Sequence, residues 1–151
     1  MRAYFIRGYK ASLAASSTLM TLEQPATALK RISVQYWQFS SPATADNAYE
    51  AWIQRITALG ASPGTSVTPQ LRDPADGAAS ATSYFAPTNE PTYTASAYEV
   101  AFSGHQRATN QWYAAPGHDI IIPVTNNAGL GVFLNAATAS FNASTYIEFE
   151  E

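Results

Sequence analysis

The residues that could carry chemistry are few and are spread along the chain. The two histidines, His105 and His118, stand thirteen residues apart in separate predicted loops, without the close spacing of metal ligands on one element. Asp73 and Asp76 form the closest pair of aspartates, in the stretch LRDPADG. Because Asp before Pro and Asp before Gly are turn formers, we interpret this pair as a turn, not as a glycosidase pair or a calcium loop.

The serines, glycines and cysteines offer no catalytic or phosphate-binding motif. No serine lies in a G-x-S-x-G setting, and neither the stretch 60–64 nor the stretch 129–131 leads into a helix with the lysine of a phosphate-binding loop. The chain has no cysteine, so disulfides and thiolate ligands are excluded. The sequence therefore predicts a protein that is not an enzyme and has no metal or cofactor.

The aromatic residues suggest a different kind of site. Trp37, Trp52 and Trp112, together with nine tyrosines, could stack on sugar rings. Large aromatic side chains more often lie in a core or an interface, where each buries roughly 150–250 Å². We expect core or interface anchors here, and an exposed sugar platform is the alternative.

Length and charge set further bounds. The chain has 151 residues, 13% of them charged, and a net charge of −3, which argues against general nucleic-acid binding. No apolar run approaches the roughly 20 residues of a membrane span, and the start MRAYFIRGYK does not fit a secretory signal. We expect a single domain, residues 1–151, made in the cytoplasm.

The charges are segregated along the sequence. Arg2, Arg7, Lys10, Lys30 and Arg31 lie in the first 31 residues, whereas three of the last four residues are glutamates, at positions 148, 150 and 151. These two groups could pair within a subunit or between neighbouring subunits, and exposed pairs are usually worth only about 0–1 kcal/mol.

The residues must be positioned by strands, because alternation and turn residues dominate the pattern. Strands are predicted at 17–22, 29–39 and 96–103, and four more lie within 111–151, broken by turn residues and closing on Tyr146–Ile147–Glu148–Phe149. In the strand 29–39 the alternation places Ile32, Val34 and Tyr36 on one face and Trp37 on the other. In the strand 96–103, Tyr98, Val100 and Phe102 share a face.

Three segments are less regular. Residues 48–57 have apolar positions at both helical and strand spacing, and we favour a strand because every other element is one. Residues 1–10 are expected to be an edge strand or an ordered arm, with Gly8 as a breaker. Residues 60–91 are expected to be a long Gly-, Ser- and Pro-rich loop anchored by Tyr84 and Phe85. About eight or nine strands with little or no helix predict an all-β, antiparallel, two-sheet β-sandwich of jelly-roll type.

Four stretches carry a resemblance to a known family: TLMTLEQPATALKRISVQYWQFS, IQRITALGASPGTSVTPQLRDPADGAAS, NQWYAAPGHDIIIPV and GLGVFLNAATASFNASTYIEFEE. The chain resembles small jelly-roll virion proteins of tailed bacteriophages, similar to capsid decoration (cement) proteins with a trimeric, tumour-necrosis-factor-like build. The resemblance covers most of the chain, and it implies a strand at 48–57.

The resemblance implies a non-enzymatic virion structural protein. It would be a homotrimer on the outer surface of the capsid that binds the major capsid protein and stabilises contacts between capsomers. The alternative is a receptor- or carbohydrate-binding jelly-roll module of a tail fibre or tail tip. We expect the subunit or capsid contacts at nine residues, namely Arg2, Tyr4, Phe5, Arg7, Tyr9, Tyr84, Phe85, Trp112 and Tyr113.

Overall fold

The computed structural model describes residues 2–27, 29–42, 44 and 46–151, so Met1 of the expected domain and arm lies outside it. These residues form twelve strands and no helix, in two antiparallel sheets of six strands each. The predicted all-β two-sheet sandwich is confirmed, with more strands than predicted. The strands are β1 (Ala3–Leu13), β2 (Ser17–Glu23), β3 (Ile32–Ser40), β4 (Ala48–Ala58), β5 (Thr65–Ser66), β6 (Gln70–Leu71), β7 (Thr82–Phe85), β8 (Thr92–His105), β9 (Asn110–Tyr113), β10 (Ile120–Ile122), β11 (Gly129–Ala137) and β12 (Phe141–Glu150).

The first sheet, sheet A, has the order β10-β3-β12-β1-β6, and β9 pairs with β3 next to β10. The second, sheet B, has the order β5-β7-β2-β11-β4-β8. The inner faces of the two sheets enclose one core of aliphatic and aromatic side chains. The four strands predicted within 111–151 are β9 to β12, and they contribute to both sheets.

Residues 3–10 lie in an ordered strand that is an edge strand of sheet A beyond Phe5, since among the described residues β6 pairs with it only at Tyr4 and Phe5. They belong to β1, which lies between β12 and β6 in sheet A. Tyr4 and Ile6 are 0% and 1% exposed, because alternate β1 side chains point into the core. Gly8 does not break the strand. A Cβ there would lie 2.9 Å from the sulfur of Met20, so glycine lets β1 pack closely on sheet B.

Bulges correct the predicted alternation of two strands. The pairing of β12 with β3 steps from Glu148↔Tyr36 to Phe149↔Val34, which leaves one extra residue on β3 and reverses its alternation. Trp37 is consequently in the core and Tyr36 is on the outer face of sheet A. A second bulge separates Tyr98 from Val100 on β8, so Tyr98 packs against Trp52 on the outer face of sheet B.

The two ambiguous segments are resolved by pairing. Residues 48–58 form β4, as predicted, because β11 and β8 on its two sides satisfy its backbone hydrogen bonds. Residues 60–91 are not a simple loop, since they contain β5, β6 and β7. The segment that was expected to be irregular therefore adds β6 to sheet A, and β5 and β7 to sheet B.

Candidate interaction face

Eleven side chains on the outer face of sheet A form the strongest candidate site. Strand register places them in three rows across β1, β12, β3 and β9, with directly paired residues sharing a face. The first row is Phe5, Glu148, Tyr36 and Tyr113, the second is Arg7, Tyr146, Gln38 and Gln111, and the third is Tyr9, Ser144 and Ser40. We call this set the tyrosine face.

Aromatic rings form a continuous strip across the tyrosine face. The ring centroid of Tyr36 lies 4.5 Å from that of Tyr113 and 5.7 Å from that of Tyr146. The Phe5 and Tyr146 centroids are 5.6 Å apart. Tyr113 is 68% exposed and Tyr9 is 48% exposed, so two large rings at the margins remain open to a partner.

Polar groups between the rings are ordered by hydrogen bonds. The Tyr36 hydroxyl donates to Gln38 Oε1 at 2.8 Å, and Gln111 Nε2 donates to the same oxygen at 3.4 Å. The hydroxyl oxygens of Ser40 and Ser144 lie 2.8 Å apart. Burial, with further contributions from Tyr113 and Tyr146, raises the pKa of Tyr36 above its ordinary value, so this phenol stays protonated as a donor.

The charged side chains on the tyrosine face form an ion pair and cation–π contacts with neighbouring residues. Arg72 forms an ion pair with Glu148 and donates to the Tyr146 hydroxyl at 2.9 Å. The Arg7 guanidinium lies 5.6 Å from the Phe5 ring centroid and 5.3 Å from that of Tyr146, which is cation–π distance. The Tyr146 hydroxyl also donates to Glu148 at 2.6 Å.

A groove of about 730 Å³ crosses the tyrosine face. Its walls include Arg7, Tyr9, Tyr36, Gln38, Tyr113 and Tyr146. Such a surface can stack on apolar or aromatic groups and donate or accept hydrogen bonds. Aromatic residues and arginine are enriched in protein interfaces, and a lining of apolar rings with a few polar groups is typical of ligand sites. This surface has both features.

The structure separates the nine expected contact residues into groups. Phe5, Arg7, Tyr9 and Tyr113 lie on the tyrosine face, and Phe85 lines the groove. Tyr84 lies in sheet B opposite Thr21. Trp112 packs against the core, and Arg2 lies 3.6 Å from Asp76.

Tyr4 is wrong as a contact residue, because its ring is buried against Phe149 and its hydroxyl donates to the Gly77 carbonyl at 2.9 Å. Sequence reasoning also missed Tyr36, Gln38 and Tyr146. The alternation Tyr146–Ile147–Glu148–Phe149 could have identified Tyr146 as outward-facing, but Tyr36 and Gln38 are shifted by the β3 bulge.

The tryptophans do not form an exposed sugar platform. Trp37 is fully buried, and its indole nitrogen donates to Thr145 Oγ1 at 2.8 Å. Trp52 lies on the other sheet against Tyr98, with centroids 4.2 Å apart. The exposed aromatic surface of this molecule is therefore built mainly from tyrosine.

The residues with catalytic or metal-ligating chemistry lie apart from the groove. His105 Nδ1 is 3.9 Å from Asp46, which also pairs with Arg107 at 3.1 Å. Asp73 accepts a hydrogen bond from the backbone of Ala75 at 2.9 Å, as a turn-forming aspartate does. Within the described residues, no three histidine or acidic side chains are grouped so as to hold a metal ion. That same part of the chain has no helix suited to crossing a membrane.

The fold and face define an antiparallel two-sheet β-sandwich with an aromatic groove on one sheet. Comparison of the chain with protein-family models, curated proteins and solved structures gives no match.

Proposed function

We propose that the protein is a non-enzymatic virion structural protein, a decoration protein on the outer surface of a phage capsid. It acts as a homotrimer in which the tyrosine face forms the contact between subunits. The observation that carries the proposal is the exposure of Tyr113 and Tyr9, at 68% and 48%, beside an ordered strip of aromatic rings. Tyrosine and arginine are the residue types that most often anchor protein interfaces.

An unpaired strand edge beside the face also favours assembly. β6 pairs with β1 only at Tyr4 and Phe5, so within the described chain β1 beyond Phe5 has no partner strand on that side. Unpaired edges expose backbone donors and acceptors, which a neighbouring subunit can cover. Burial of both the rings and this edge would stabilise a closed assembly.

The proposed mechanism on the virion is multivalent binding. The partner is the major capsid protein, and a trimer that contacts several capsid subunits gains avidity through effective concentration. Neighbouring capsomers are thereby held together without covalent chemistry.

The oligomeric state and location of the protein test this proposal. Light scattering of purified protein at micromolar concentration is expected to give the mass of a trimer, and electron cryo-microscopy of particles is expected to show copies on the capsid lattice. Tyr113→Ser should weaken the trimer roughly tenfold or more. Tyr98→Ser, which changes an exposed tyrosine of the other sheet, is the matched control. A persistent monomer, or copies confined to the tail tip, would contradict the proposal.

Carbohydrate binding is the second candidate, favoured by the groove of about 730 Å³ and its mixed lining. Gln38 Oε1 and the Ser40 and Ser144 hydroxyls offer hydrogen bonds beside rings on which a sugar can stack. A glycan array probed with purified protein tests it, with Gln38→Ala and Tyr113→Ala expected to abolish binding and Trp52→Ala to leave it unchanged. Absence of binding to every glycan on the array would remove this candidate.

A further inference from the structure

Two opposite charges on the outer face of sheet A lack a charged partner within the described chain. Three ion pairs lie near this face, namely Arg72 with Glu148, Lys30 with Glu151 at 3.3 Å, and Arg2 with Asp76 at 3.6 Å. Among the residues that the structure describes, Arg7 makes only ring contacts, and Glu150 makes no side-chain hydrogen bond or ion pair. Lys10 and Arg31 likewise make no ion pair within the described chain, so the segregated charges are only partly neutralised within the subunit.

The strand register fixes where the two charges lie. Arg7 is opposite Tyr146 on β12, and Glu150 is opposite Ala3 on the same strand pair. Both side chains point outward, on the same side of sheet A as the tyrosine face. Arg7 is paired with Tyr146, and Glu150 lies four residues after Tyr146 on the same strand, an even spacing that keeps it on the same face. Four residues of strand separate the two positions along β12, which is roughly 13 Å. They therefore lie at different points of one surface, with the row of Phe5 and Glu148 between them.

We propose that Arg7 of one copy pairs with Glu150 of a neighbouring copy where the tyrosine faces of adjacent subunits meet around a threefold axis. This inference rests on the proposed assembly through the tyrosine face and names the contact that orients the subunits. In a ring, each copy gives its Arg7 to one neighbour and its Glu150 to the other, so every charge is satisfied. Charge complementarity selects a second copy of this chain as the occupant, because the free cation and the free carboxylate are on the same surface.

Cation–π contacts position Arg7 for this role. Its guanidinium carbon rests over the rings of Phe5 and Tyr146, which leaves the nitrogen donors available to a carboxylate. The planar guanidinium can donate to both carboxylate oxygens of Glu150 in a two-point contact, a geometry that fixes the relative orientation of two subunits.

A charge-swap experiment tests the contact. Arg7→Glu and Glu150→Arg are each expected to raise the dissociation constant of the assembly roughly tenfold or more, measured by analytical ultracentrifugation. The double variant Arg7→Glu/Glu150→Arg is expected to restore assembly to within about threefold of wild type. Because the double variant still lacks the cation–π contacts of Arg7, its recovery can come only from the restored charge pair.

Control variants separate this contact from general effects. Arg107→Glu changes the net charge by the same amount as Arg7→Glu. Arg107 lies in the turn after β8, outside the tyrosine face, so this variant should leave assembly unchanged. Circular dichroism of each variant shows whether it is folded, and Arg7→Gln replaces Arg7→Glu if the latter is not. A wild-type trimer that both single variants leave intact would overturn the Arg7–Glu150 contact alone.

The remaining outcomes are also distinct. Wild-type protein that stays monomeric at micromolar concentration overturns both the proposed homotrimer and this contact. A dimer that both single variants weaken and the double variant restores supports the contact and contradicts the trimer.

Discussion

The indole of Trp37 in sheet A stacks on the ring of Phe102 in sheet B, with centroids 4.3 Å apart and planes inclined by 13°. This contact joins β3 to the outermost strand of the other sheet, β8. Trp37 is also tied to β12 through Thr145. The stack therefore holds the open edge of sheet B against the centre of sheet A, beneath the tyrosine face.

Truncation of this stack should loosen the sandwich. Phe102→Ala is expected to lower the free energy of unfolding by about 3 kcal/mol, because it leaves a cavity against the buried Trp37 ring. Urea denaturation followed by tryptophan fluorescence measures the loss. Tyr98→Ala, on the same strand but the outer face, should cost less, and an equal loss in both variants would contradict a special role for the stack.

Glu23 should make stability depend on pH. Its side chain is 2% exposed, and burial raises its pKa to about 7 from an ordinary 4.5. One carboxylate oxygen has no hydrogen-bond partner. The raised pKa means that the folded state favours the protonated carboxyl, so stability falls as pH rises from 4.5 through about 7.

Glu23→Gln should remove this dependence. The free energy of unfolding of the variant relative to wild type is expected to increase by roughly 3 kcal/mol between about pH 4 and pH 8. Denaturant titrations of both proteins across this pH range measure the difference in the free energy of unfolding. The contributions of the other titrating groups cancel in this difference, because both proteins contain them. A constant difference across the range would show that Glu23 titrates normally.

Glu151 should have the opposite effect. Burial acts to raise its pKa, but hydrogen bonds from Ser80 and Ala81 and the nearby Lys30 outweigh burial and lower it. The lowered pKa contributes stability above pH 4.5 that is lost as pH falls through the folded value. Glu151→Gln is expected to cost about 2 kcal/mol at neutral pH and less in acid. Thermal unfolding of both proteins at neutral and acidic pH tests whether the gap narrows.

Gly131 should be required for Tyr93, the second residue of β8, to pack on sheet B. A Cβ at Gly131 would lie 2.3 Å from the hydroxyl oxygen of Tyr93, which also hydrogen-bonds Thr18 Oγ1 at 2.6 Å. Gly131→Ala is expected to displace Tyr93 and cost about 1–3 kcal/mol. Limited proteolysis should then cleave near residue 90 faster than in wild type. Gly104→Ala should have a smaller effect, because the nearest atom to a Cβ there would be Nδ2 of the movable Asn110 side chain, at 3.2 Å.

Much of the fold could be predicted from the sequence, because the patterns that indicate strands and turns extend over only a few neighbouring residues. Alternation and turn residues located β2, most of β3 and the four last strands, and consistency with neighbouring segments favoured a strand at 48–57. The two-residue strands β5 and β6 could not be found in this way. They exist because β7 and β1 offer free hydrogen-bonding edges, not because their own residues favour a strand.

The candidate site was only partly predictable. Arg7, Tyr9 and Tyr113 were expected as contacts and lie together on the tyrosine face. Tyr36 and Trp37 were assigned to the wrong faces because the β3 bulge has no signature in simple alternation. One extra residue in the pairing with β12 reverses the direction of every side chain beyond it.

By itself the sequence determined the all-β class, since period-two alternation and turn chemistry act over a few residues. Only the tertiary structure decided which aromatic residues form the core and which form the tyrosine face. That choice depends on register and bulges between strands far apart in the chain, such as β3 and β12, and on the sheet edges that receive the short strands.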